Sequence, residues 1–194
     1  MGHAPRSSRS SPAPTPTPTP SRRPPPLALL AAAAAVLGGC GGTVDFTIDR
    51  TLQVDTTVDA GRSSATYDLA AEAGSAWKER SHLDSLSIRG ATATVTAVGA
   101  SNAATSESGT VWLLPDGVTD PTDPGAVEVG HWAGEPVVPG HVIALTPSTR
   151  LDDLVTSALK GSGRLGVAAA VDGGGARLQV TLRVEIDLRL KWKP

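Results

Sequence analysis

The chain of 194 residues has a single cysteine, a single methionine, one Phe, one Tyr and four Trp. One cysteine excludes an intramolecular disulfide and any Cys-based zinc cluster. So few aromatics mean that a core must be built from Val, Leu, Ile and Ala. Acidic residues are missing from the first forty positions, which hold four basic ones: Arg6, Arg9, Arg22 and Arg23. Of the 17 basic residues, 13 therefore lie beyond Cys40, against 19 acidic ones, about −6 for that part. A mildly acidic domain without clustered Lys and Arg does not fit nucleic acid or an anionic lipid surface. Catalytic motifs are also missing. Gly161-Ser162-Gly163 lacks the spacing of a nucleophile elbow, and Gly173-Gly174-Gly175 is not followed by a helix that could receive phosphate. No cofactor is expected.

Residues 5–26 are rich in Pro, Ser and Thr, with the run Thr15-Pro16-Thr17-Pro18-Thr19-Pro20. Proline withholds backbone donors, so this stretch reads as extended or disordered. Arg22-Arg23 and three prolines follow, then the apolar run Leu27 to Leu37 with alanines from Ala31 to Ala35. Through Gly39 this run spans 13 residues. That is too short to span a bilayer, which takes about 20, but it suits the apolar segment of an export signal. The run closes on Leu37-Gly38-Gly39-Cys40.

This ending resembles the lipobox of bacterial lipoproteins: Leu three before the cysteine, two small residues, then Cys. The resemblance covers the signal region alone. It implies that Cys40 is the lipidation site, carrying a diacylglycerol, and that the signal is cut between Gly39 and Cys40. The stretch ahead of the apolar run is longer than is usual in that family. Ser21-Arg22-Arg23 is followed by prolines rather than by the residues of a twin-arginine signal, so general secretion is the expected route. The implied organisation is a Pro-rich leader and signal peptide over 1–39, a lipidated terminus and short tether over 40–42, and one β-rich extracytoplasmic domain over 43–194. The implied location is the cell envelope, on the periplasmic face of an outer membrane or the cell surface. The membrane, through Cys40, and envelope proteins are the expected partners, and nucleic acid is not.

Beyond the tether, alternation dominates. From Leu178 to Trp192 every even position is apolar and every odd one polar, the signature of a long strand with one buried face. Val44, Phe46, Ile48, Leu52 and Val54 repeat the pattern, and Arg50 interrupts it as a bulge or an edge would. Leu86–Val98, Ala65–Ala70, Gly109–Leu114, Ala126–Trp132, His141–Leu145 and Arg164–Val171 complete about eight strands. The expected fold is mostly β, an antiparallel sandwich or small barrel. One short helix is expected near 149–160, capped by Thr149 with Asp152 and closed by Gly161, and a weaker one over Ala71–Arg80. The glycine run after Asp172 predicts a hairpin that makes Arg164–Val171 a neighbour of the last strand, with Val44–Val54 on its other side. A membrane barrel is disfavoured, since Phe46, Trp112 and Trp192 are too few for aromatic girdles.

Candidate ligand groups are sparse. His131 and His141, with Glu128 and Glu135, supply the residue types of a zinc site. Asp116, Asp120 and Asp123 share one loop and supply hard oxygen ligands for calcium, although turns use the same residues before Gly or Pro. Trp77, Trp112, Trp132 and Trp192 serve either as the largest pieces of the core or as plates for stacking on sugars. These readings favour a tethered binding or structural module over an envelope hydrolase or an accessory subunit of an envelope assembly.

Overall fold

The computed structural model describes residues 42–56, 60–148 and 150–193. The leader, the apolar run, Cys40 and the cap residue Thr149 lie outside the described residues. Eight strands run in order: β1 Thr43–Thr56, β2 Gly61–Asp68, β3 Leu83–Val98, β4 Ser106–Leu114, β5 Val127–Pro136, β6 Val142–Leu145, β7 Arg164–Asp172 and β8 Leu178–Trp192. Helix α1 Leu69–Ala73 runs into a 3₁₀ segment, Gly74–His82, and α2 covers Arg150–Lys160. None of the described helices is long and apolar enough to cross a membrane.

The strands form two four-stranded sheets, ordered β1-β8-β3-β6 and β2-β7-β4-β5, with every pair antiparallel. The pairing is nested: first with last, second with seventh, third with sixth, fourth with fifth. A ribbon paired in this way and rolled over itself is a jelly roll, a β-sandwich of two Greek keys. Alternation in sequence becomes two-sidedness in space. All eight even positions of β8 are buried, and none of its odd positions is. Ile48, Leu52, Val95, Val111, Val167, Val184 and Ile186 meet between the sheets, each essentially without solvent exposure.

Several expectations are corrected. Strand β8 is interior, but its neighbours are β1 and β3, while β7 stands in the facing sheet. Asp172 accepts a hydrogen bond from the Gly174 amide at 2.9 Å, and Gly174 and Gly175 take φ of 67° and 84°. The glycine turn thus lifts the chain across the core instead of folding it back in one sheet. Positive φ serves both kinds of turn, so the residues alone do not choose between them. Arg50 marks an edge and not a bulge, since β1 pairs with β8 without a register break and has no other neighbour. Its guanidinium lies 4.2 Å from the Tyr67 ring centre and donates to the Asp49 and Thr66 carbonyls. Helix α2 ends with the Gly163 amide donating to the Ala158 carbonyl at 2.9 Å, and Gly163, not Gly161, has the positive φ of 76°. Asp152 accepts from the Ile88 amide at 3.2 Å, beside a register shift in β3, so it ties the helix to the sheet. The second helix starts earlier than expected, where Asp68 accepts from the Ala71 amide at 2.9 Å as an N-cap, and over Gly74–His82 it tightens to 3₁₀.

Registers define two ends of the sandwich. Thr43, Lys191, Asp68, Arg164, Leu114 and Val127 mark one end. Thr56, Leu178, Val98, Gly61, Ser106, Pro136 and Val142 mark the other.

Candidate functional site

At the Thr56 end, β4 sets Glu107, Gly109, Val111 and Leu113 on its inward face. Three of these suit a core and the fourth is a carboxylic acid. Glu107 is only 1% exposed, and neither of its carboxyl oxygens has a hydrogen-bond partner. Burial raises its pKa from 4.5 to about 7, with the charge on His141 opposing the shift and that on Glu135 adding to it. Glu135 is the register partner of Glu107 on β5. Its Oε2 lies 2.7 Å from His141 Nε2. His141 belongs to the other sheet: its carbonyl accepts from the Val95 amide at 2.9 Å, one residue before β6 begins. The Glu135–His141 pair therefore joins the two sheets, with Glu107 behind it. The Trp132 indole N–H is likewise buried without an acceptor, and its ring packs where Gly109 has no side chain. Burial thus favours the protonated, neutral form of the Glu107 carboxyl.

The zinc candidates are split. Glu128 and His131 form one exposed pair, Oε1 to Nδ1 2.7 Å, apart from the Glu135–His141 pair. Among the described residues, no three His, Cys, Asp or Glu side chains converge as a metal site requires. The loop aspartates make turns. Asp120 Oδ1 accepts from the Thr122 amide and hydroxyl, both at 2.9 Å, and these bonds lower its pKa. Asp123 accepts from the Gly125 amide at 2.8 Å. Ser162 accepts from the Arg164 amide at 3.3 Å, a turn contact. Trp132 and Trp192 are core residues, and Trp77 packs against the core under the Arg80 guanidinium. Trp112 alone of the four is neither in the core nor packed against it. Sequence reasoning missed Glu107. The signal was parity, since extending the Gly109–Leu114 alternation back by two residues turns Glu107 inward.

No protein-family model matches the chain, and no curated protein matches it. Among solved structures it is similar to the decameric BFDV capsid protein, at 14% identity and a TM-score of 0.40, over 79% of this chain and 99% of that one. It is also similar to desmodium yellow mottle tymovirus, at 13% identity and a TM-score of 0.34, over 91% of this chain and 96% of that one. A third likeness is to mud crab tombus-like virus, at 13% identity and a TM-score of 0.33, over 93% and 94%. The fold assignment rests on the strand pairing alone.

Proposed function

We propose that the chain is a lipid-anchored protein of the bacterial cell envelope, a binding or structural module held to a membrane through a diacylglyceryl Cys40. The observation that carries this reading is the coincidence of Leu37-Gly38-Gly39-Cys40, the apolar run before it and the chain's only cysteine. Two acyl chains on one residue anchor stably, whereas one does not. The start of β1 sets the reach of such an anchor. β1 starts at Thr43, three residues past Cys40, a reach of about 10 Å at most. A lipid there holds the Thr43 end at the membrane surface. β1 has 14 residues, so the Glu107 end stands roughly 45 Å farther out, available to a partner. Envelope proteins are the partners this geometry favours.

A hydrolase reading has one observation in its favour, the carboxyl with a pKa of about 7 beside a carboxylate–imidazole pair. Glu107 is closed to substrate at 1% exposure, which favours the module.

Mass spectrometry of the detergent-extracted protein tests the anchor. A mature chain that begins at a diacylated Cys40 is expected, and Cys40→Ser should leave the protein in the aqueous phase. A mature chain that keeps Met1, or one cut elsewhere with a free thiol, overturns the reading.

A further inference from the structure

At the Thr56 end a short link crosses from one sheet to the other. Strand β5 ends at Pro136 and β6 begins at Val142, so residues 137–141 pass from β2-β7-β4-β5 to β1-β8-β3-β6. Among the described residues, three backbone bonds tie this link down. The Val137 amide donates to the Thr105 carbonyl at 3.1 Å, the Gly140 amide to the Val95 carbonyl at 2.7 Å, and the Val95 amide to the His141 carbonyl at 2.9 Å. A side-chain clasp adds to them, His141 Nε2 against Glu135 Oε2 at 2.7 Å. Gly140 has a φ of 87°, and a Cβ placed there would meet nothing within 4 Å. The clasp residue His141 thus follows a glycine with room to turn.

Glu107 lies behind the clasp. The charged groups that face it are Glu135, its register partner on β5, and His141 of the link, which opposes a carboxylate only while protonated. β1, β3 and β8 turn Val54, Thr56, Val95, Leu178 and Val180 inward at this end, and none of these carries charge. Asp172, at the end of β7, is exposed and accepts from the Gly174 amide. A carboxylate formed at Glu107 therefore has a second acid beside it and no hydrogen-bond partner, and an ion so placed is costly to keep dry. Water is one side chain away. The side chains of Glu135 and His141 are 38% and 25% exposed, whereas Glu107 is buried. Lifting the link breaks its three bonds and the clasp, while parting either sheet breaks a whole ladder. The link is the cheaper way to wet the acid.

We propose that residues 137–141 are a strap that closes the Thr56 end of the sandwich and lifts when the Glu107 proton leaves to solvent. In acid the strap is shut and ties the two sheets together at this end. Above neutrality it opens and makes Glu107 and the buried Val137 accessible. The inference stands apart from the anchor and applies to an acylated chain or a free one.

Amide hydrogen exchange on the full chain at pH 5 and pH 8 tests this, with each rate divided by that of an unstructured peptide at the same pH. Protection of the Val95, Val137 and Gly140 amides should fall on the order of fiftyfold across that range. At pH 8 these amides should be at least about tenfold less protected than that of Val184 in mid-β8, and low denaturant should barely change their rates, as a local opening requires. Glu107→Gln and Glu107→Leu should each keep the strap amides protected at pH 8, and either suffices if the other does not fold. Two results overturn the proposal. One is strap amides that share the protection and the denaturant dependence of Val184, which makes the opening global. The other is strap amides whose pH response survives loss of the Glu107 carboxyl.

Discussion

Glu107 occupies a position where the alternation of β4 demands an apolar side chain. The folded chain keeps a proton there that the unfolded chain gives up above its ordinary value of 4.5. The unfolded state therefore binds fewer protons between pH 4.5 and about 7, and stability falls as pH rises through that window, then levels. A rise from 4.5 to about 7 corresponds to about 3 kcal/mol at 1.36 kcal/mol per unit. Glu107→Gln removes the ionisation and keeps the shape. Denaturant midpoints at pH 5 and pH 8 should show the unaltered chain losing stability relative to the Gln variant by about that amount, with the two converging at pH 5. Equal pH dependence in both would place the ionisable group elsewhere. At this scale the sequence was only partly legible. The inward parity of Glu107 can be read from Gly109, Val111 and Leu113, but its lack of a partner depends on what the facing sheet brings opposite. The pairing of His141 with Glu135, rather than with His131, depends on the same meeting of the two sheets.

Among the elements, β8 has the clearest reading in sequence and the most demanding place in the fold. A slip of one residue would expose eight buried side chains, so its register is fixed by burial on one face. On the other face, ion pairs repeat the same choice. Arg189 makes a bidentate contact with Asp45 at 2.7 and 2.9 Å, and Arg183 makes one with Asp49, its closest approach 2.6 Å. These exposed pairs are screened and contribute little stability, but both match one alignment of β1 with β8. Ile186 is fully buried, and Asp in its place would have no partner. Ile186→Asp should cost several kcal/mol and abolish the cooperative transition, whereas Glu185→Ala should cost well under about 1 kcal/mol. Paired denaturation curves check this, and equal effects would mean that β8 is not one-sided. The identity of the strands was legible because period two is local. The neighbour of β8 was not, because the glycine turn after β7 permits both a hairpin and a crossing.

For the molecule as a whole, eight strands and a sandwich follow from the spacing of apolar residues, while the nested pairing does not. Pairing first with last is a matter of long-range fit that no window of sequence contains. The described strands begin at Thr43, so a chain starting at Gly41 should be soluble and unfold in one transition. Calorimetry checks this, and an aggregated or non-cooperative product would assign the preceding apolar run to the core. The order β1-β8-β3-β6 has one more consequence. The last of the described strands is an inner one, and β1 pairs with no other strand of its own sheet. Until the final fifteen-residue strand arrives, β1 and β3 have a gap between them where their shared neighbour belongs. Contacts of such sequence separation close slowly. Sheet β2-β7-β4-β5 needs no part of β8, so in chain order one sheet can be complete while the other still has a seam between β1 and β3, and that seam is the last place in the sandwich to zip.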